Sequence, residues 1–281
     1  MKKLKKLFIS AVALMLCFVC VFSLTACGEE IDKAELKVSI YNYADKEMEE
    51  YSMNIDLYRH LAPKTVDAIS SYINGGYYNG TVFYIMEDYA NQIMIGDLKY
   101  DQELSDNEGF YLNDEKPALE GEFVHGGTTG SNLKNKQGSI GLWRTWSEQD
   151  YSYNMGRTGT DTGRATWFIP TSKINSYDDY FCVFAQYELS DSNLEMISAI
   201  EEIFSDETKY CEYVIYYTGQ YENLTFHCVK KEDFKEEKIE DLFVAEEGTA
   251  QLVSYNHYTI KVPITEDGEI AAFVKSATIK K

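Results

Sequence analysis

The chain has 281 residues, 44% hydrophobic and 14% aromatic, which supplies a sizeable core and excludes wholesale disorder. Against 26 Lys and Arg stand 46 Asp and Glu, a net charge of -20 that deepens further once the lysine-bearing leader is removed. Such a surface repels phosphate backbones, so nucleic acid is excluded as a partner. Anionic lipid would be repelled as well, so membrane contact must come from something other than charge.

The leader supplies it. Lys2, Lys3, Lys5 and Lys6 precede Leu7 to Leu24, which is apolar except for Ser10 and Ser23, and residues 1–26 read as a secretory signal. The segment ends in Leu24-Thr25-Ala26-Cys27, which resembles the lipobox of bacterial lipoproteins. That resemblance implies cleavage before Cys27, a diacylglyceryl group on its sulfur and an acylated amine. The result would be an extracytoplasmic protein held to the cell membrane by lipid. An uncleaved anchor is the alternative, because the apolar run is nearly long enough to span. Residues 27–34 then form a lipidated tether, polar from Gly28 to Lys33.

Cys17 and Cys20 leave with the signal, and Cys182, Cys211 and Cys228 remain beside Cys27. Cys211 and Cys228 either pair across a hairpin or stay buried and free with Cys182. The mature chain has no CxxC or HExxH, and its histidines are scattered, so neither metal nor cofactor is expected.

In chain order, Leu36, Val38 and Ile40 alternate with polar neighbours, as do Met53, Ile55 and Leu57, and both segments read as strands. Ala62-Pro63 opens a helix whose stripe is Val66, Ile69 and Ile73, stopped by Gly75-Gly76. The turn Asn79-Gly80 leads into a strand over Thr81 to Met86, and Gln92 to Ile95 is another. Residues 99–136 read as an acidic loop, Ser139 to Trp143 as a strand and 145–165 as a polar loop. Strands follow at Thr166 to Ile169 and Phe181 to Tyr187. A helix capped by Asp191 or Ser192 then shows Leu194, Ile197, Ile200 and Phe204 on one face. The tail holds strands at Tyr213 to Tyr217, Thr225 to Val229, Tyr258 to Val262 and Ala277 to Ile279, with a charged, helix-like run over Lys230 to Leu242. Many strands and two helices predict an antiparallel barrel or sandwich with helical ends.

Several of these segments, in this order, resemble a cyclophilin-type peptidyl-prolyl isomerase. Ala62-Pro63-Lys64-Thr65-Val66 resembles its AP-x-TV helix, and Gly76-Tyr77-Tyr78-Asn79-Gly80 its GYY-DG turn. Gly96-Asp97 resembles the end of Q-G-G-D, Glu122-Phe123 the E-F pair, and Gly138 to Arg144 the G-x-L-S-M-A-R strand. Ala165 to Ile169 resembles S-Q-F-F-I, and Tyr177 to Ala185 resembles L-D-x-x-H-x-V-F-G. The resemblance implies a mostly β fold: a closed, eight-stranded antiparallel β-barrel capped by two α-helices, spanning residues 35–205, with a long C-terminal insertion. Residues 206–281 form that β-rich extension, and its last strand would close the barrel.

The family's chemistry lowers the barrier near 20 kcal/mol for rotation about an X-Pro bond. An apolar pocket grips the proline ring while an Arg donates to the twisted nitrogen. Carried over by position, that Arg is replaced by Ile85, and Tyr84 stands at the neighbouring His. The implied peptide-binding residues are Phe83, Gln92, Met94, Leu142, Thr166, Phe168 and Phe181, with Met94 at one Gln position and Thr166 at the other. Losing one such donor removes roughly 10²–10³ in rate, so weak turnover is expected, partly restored by Ile85→Arg. Arg59, Arg144, Arg157 and Arg164 are the arginines present, and Arg164 is the best placed to substitute. Three functions follow. One is an isomerase acting on proline-containing segments of exported proteins. The second is a non-catalytic proline-peptide-binding chaperone, and the third a partner-docking lipoprotein. Gly126 to Ser131, Asp178-Asp179 and Glu246-Glu247 read as solvated turns and acids, not as phosphate or calcium sites.

Overall fold

The computed structural model of the protein describes residues 31–124, 131–144, 161–220, 223–235 and 257–280. The signal, Cys27 and the 145–160 loop lie outside the described residues, as does most of the run after Asp233. Two long strands come first, β1 (Ile31–Asn42) and β2 (Glu47–Tyr58), paired antiparallel from Ile31↔Tyr58 to Asn42↔Glu47. Their alternation decides which face turns inward: Leu36, Val38, Ile40, Met53, Ile55 and Leu57 are all buried. Strand pairing begins inside the stretch expected as a tether. Lys33 and Ala34 are paired on one side with β2 and on the other with the C-terminal strand β13 (Ala272–Lys280), so their backbone is tied into the sheet.

Helix α1 (Pro63–Asn74) starts at Pro63, where a missing N–H is harmless, and buries Thr65, Val66, Ile69 and Ile73. Ala62 offers no side-chain cap. Instead the Glu122 carboxylate accepts the backbone N–H groups of Lys64 (3.0 Å) and Thr65 (2.7 Å). Helix α2 (Asp191–Phe204) follows Ser190 and buries Asn193, Met196, Ile197, Ile200 and Ile203. Leu194 and Phe204, expected on that face, are only half-buried, so the stripe is rotated from the one the sequence suggests.

The remaining strands of the main sheet are β4 (Gln92–Ile95), β7 (Ser139–Leu142), β8 (Trp167–Pro170) and β9 (Val183–Tyr187). Their order is β13-β1-β2-β9-β7-β8-β4, seven strands curled into a half-barrel. The expected closed cylinder is not formed by a continuous ladder. Between the two edge strands runs the segment 81–84, which reaches β13 through a Val82↔Phe273 bridge and β4 through a Tyr84↔Met94 bridge. Only its continuation, β3 (Ile85–Met86), is a strand of the run expected over Thr81 to Met86. That strand belongs to a second sheet.

The second sheet has the order β11-β10-β12-β3, with β10 (Tyr210–Gln220), β11 (Asn223–Lys230) and β12 (Tyr258–Pro263). Cys228 stands opposite Ile215 in the β10–β11 register, four residues along from Cys211, so the two thiols are out of step. Cys182, Cys211 and Cys228 are free. A small hairpin, β5 (Leu98–Tyr100) with β6 (Phe110–Leu112), occupies part of the stretch expected to be loop. Among the described residues, no helix is long and apolar enough to cross a membrane.

Two cores result. The inner one joins β1, β2, α1 and α2 and contains Phe83, Ile93, Ile95, Ile140, Leu142, Trp167 and Phe184. The outer one lies between the half-barrel and the second sheet. It gathers Tyr84, Met94, Phe168, Tyr177 and Phe181 with Tyr213, Ile215, Ile260 and Val262.

Candidate functional site

The outer core is where the expected proline cradle falls. Tyr84 bridges Met94, Met94 faces Phe168 across β4 and β8, and Phe168 faces Gly141 across β8 and β7. These residues therefore lie in one row across four neighbouring stretches of chain. Phe168 is covered by its own neighbours: ring centroids lie 5.4 Å away at Phe181, 5.7 Å at Tyr177 and 6.2 Å at Trp143. Tyr177 and Phe181 are themselves stacked at 4.3 Å, and Trp143 stacks on Phe181 at 5.5 Å. Met94 and Phe168 have 0% exposure and Phe181 1%, so the apolar floor is packed shut by aromatic side chains.

The seven implied peptide-binding residues do not form one surface. Met94, Phe168 and Phe181 come together in the outer core. Phe83 and Leu142 sit in the inner core, because side chains alternate along an extended chain and theirs have the opposite parity from Tyr84 and Gly141. Thr166 hydrogen-bonds the Asp97 side chain and is half-buried. Gln92 is buried at 1% exposure, and both polar atoms of its carboxamide lack a hydrogen-bond partner among the described residues. Such a group costs about 1–3 kcal/mol when left unsatisfied, and a peptide amide reaching it would remove that cost.

Ile85 is the residue expected at the position of the family's Arg. It pairs with Lys261 in the β3–β12 ladder and is nearly inaccessible, so it offers the site neither a donor nor an opening. Tyr84 donates to both oxygens of Asp97, at 2.9 and 3.1 Å, which occupies its hydroxyl. Burial raises the Asp97 carboxyl above its ordinary range, with the Tyr84 and Thr166 hydrogen bonds pulling the other way. Gly96 precedes it at φ 118°, a conformation open to glycine, and a side chain there would press on the Ala165 carbonyl and the Tyr78 ring.

Arg164, expected as the substitute cation, binds the Lys116 carbonyl at 2.5 Å and Glu115 at 2.8 Å, and those contacts hold its guanidinium. Among the described residues, Arg144 is the arginine that reaches the aromatic cluster. Its guanidinium carbon lies 5.0 Å from the Phe181 ring centre and 5.1 Å from Phe123, and Nε donates to the Tyr180 carbonyl at 2.9 Å. It braces the turn between Tyr177 and Phe181, where Asp179 adopts φ 70°. Asp178 helps, accepting from the Asn135 backbone N–H at 2.8 Å. Sequence reasoning missed Arg144, Trp143 and Tyr177 as site residues. A signal was present, since all three lie inside segments matched to family motifs, Gly138 to Arg144 and Tyr177 to Ala185. Among the described residues no cluster of His, Cys, Asp and Glu could hold a metal.

A family model described as cyclophilin type peptidyl-prolyl cis-trans isomerase/CLD matches residues 43–218, and the chain belongs to that family. Among solved structures, the chain is similar to a cyclophilin type peptidyl-prolyl cis-trans isomerase from Cryptosporidium parvum. The two are 15% identical, with 63% of this chain and 88% of that one covered and a TM-score of 0.40. No curated protein matches.

Proposed function

We propose that this protein is an exported, lipid-anchored member of the cyclophilin family that engages proline-containing segments of exported proteins with low or absent isomerase turnover. The observation that carries the reading is Ile85, held in a strand ladder at the position where the family's catalytic Arg belongs. Without a donor to the twisted amide nitrogen, the remaining contribution is grip and desolvation by the apolar floor. The anchor is supported by Leu24-Thr25-Ala26-Cys27 behind a basic and apolar leader.

A non-catalytic role, as a proline-peptide-binding chaperone or a partner-docking lipoprotein, is favoured by a separate observation. Met94, Phe168 and Phe181 are covered, and a peptide would have to displace aromatic side chains to reach them. The deciding experiment is protease-coupled or NMR-exchange isomerisation of an X-Pro peptide by the fragment starting at Gly28, with peptide binding measured in parallel. Acceleration lost in Phe168→Ala supports weak enzymology. Binding without acceleration supports the chaperone reading, and neither supports docking alone. For the anchor, Cys27→Ser is expected to abolish palmitate labelling and membrane retention. Labelling that persists in the variant would remove that part of the proposal.

A further inference from the structure

A cleft of about 670 Å³ opens between the outward end of the β1–β2 hairpin and α2, and none of its lining residues belongs to the cluster around Phe168. One wall is aromatic and fixed. Tyr41 and Tyr43 meet edge to face with centroids 5.0 Å apart. The Tyr41 hydroxyl donates to Glu266 at 2.6 Å, and that of Tyr43 to the Ile264 carbonyl at 2.5 Å and the Lys209 carbonyl at 3.1 Å. The other sides carry Glu49, Glu195 and Glu202, while Ser198 and Ala199 keep the helical side shallow. Glu49 is held in place by Asn42 Nδ2 and the Tyr51 hydroxyl, each donating at 2.8 Å. Those bonds keep its carboxyl below the ordinary range, and so ionised.

The chain already docks a cation on this wall. The Lys209 ammonium lies 4.9 Å from the centre of the Tyr43 ring and reaches Glu202 at 3.6 Å and Asp206 at 3.7 Å. Among the described residues Lys209 is the one basic residue lining the cleft, and they place no other positive partner against its aromatic and anionic surface. A tyrosine face attracts an organic cation through its ring quadrupole, and anchored rings lose little freedom when they bind one. Three carboxylates exclude an anionic ligand from the same space, and the strongly negative chain raises the local concentration of cations around it.

We propose that this cleft binds a guanidinium or alkylammonium group, with the charged head at Glu49 and Glu195 and the apolar stem along the tyrosine wall. It does not depend on the isomerase reading, since a protein with no turnover would keep this cleft intact.

The test is titration of the full chain in mild detergent, read by NMR shifts of the tyrosine rings. The probes are an arginine-containing hexapeptide, the same peptide with citrulline, and capped arginine amide. Saturable shifts at Tyr41, Tyr43 and Tyr51 are expected with arginine and not with citrulline. Binding should weaken with added salt, and by about five-fold in Glu49→Gln or Glu195→Gln. Lys209→Met, which frees the face of Tyr43, is expected to bind more tightly. A hexapeptide that binds better than the capped residue assigns the cleft to peptide side chains, whereas equal binding assigns it to free organic amines. The proposal is overturned if citrulline binds as well as arginine or if no saturable shift is seen. It is equally overturned if binding is unchanged in a Glu49→Gln/Glu195→Gln variant whose circular dichroism matches the parent.

Discussion

The far end of the Phe168 ring occupies the space that a side chain at position 141 would fill: the two residues are register partners on β8 and β7, and a Cβ built on Gly141 would overlap Cζ and Cε1 of that ring. Glycine is therefore required here by close approach of a ring, not by backbone conformation. Gly141→Ala is expected to lower stability by about 1–3 kcal/mol, the usual cost of overpacking. Adding Phe168→Leu should recover part of that loss. A denaturant-unfolding cycle with no coupling between the two sites would show that the ring does not occupy this space.

Glu122 is the cap of α1, supplied from more than fifty residues away. Glu122→Ala removes the acceptor of two backbone N–H groups at a helix start and is expected to cost about 1–2 kcal/mol. Glu122→Gln, which keeps an acceptor but not the charge, should cost less. Equal thermal midpoints for parent and alanine variant would refute the capping role.

Ile85→Arg, the change expected from sequence to restore turnover, should restore none. Ile85 is nearly inaccessible in the ladder with Lys261, so a guanidinium there would be buried beside another cation, at a cost of about 2 kcal/mol or more. Loss of stability with unchanged isomerisation is the expected result. A gain in turnover would show that the strand turns outward in solution.

The pH dependence of stability should report Asp97. Burial raises its carboxyl above the value near 3.9 that an unfolded chain shows, so folding favours the protonated form. Its contribution is fully present below the unfolded value and is lost as pH rises through the folded one. Asp97→Asn cannot titrate and keeps an acceptor for the Tyr84 hydroxyl. Relative to the parent, the variant should gain in melting temperature as pH rises out of the acid range and then level off. A difference that stays flat, or reverses, across that range would contradict the assignment.

The hairpin strands and α1 were legible because each buries one face, and a period of 2 or 3.6 records that directly in Leu36-Val38-Ile40 and Val66-Ile69-Ile73. The start of β1 was not, since Ile31 to Ala34 carry no apolar alternation in sequence and are ordered by partners 21 or more residues away. The β5–β6 hairpin was missed because three-residue strands carry too little pattern, and its connection relies on Asn107 and Glu108 in left-handed conformations. Met94, Phe168 and Phe181, expected from the motifs, do fall in one cluster, but the motifs could not show what covers them. That cover is made by Trp143 and Tyr177 and by the second sheet of β10, β11, β12 and β3, contacts that leave no local trace. Phe83 and Leu142 were misplaced for a simpler reason: position in a motif does not say which way an extended residue points.

Under the proposed acylation of Cys27, the early start of β1 would have a geometric consequence. Only Gly28, Glu29 and Glu30 separate that cysteine from Ile31, a leash of about 14 Å at full stretch. The twelve residues of β1 then carry the hairpin tip about 40 Å onward. If β1 stands upright on its leash, Tyr41 and Tyr43 are held out beyond the headgroups like a lamp on a short post, within reach of chains emerging from the cell and out of reach of the lipid itself.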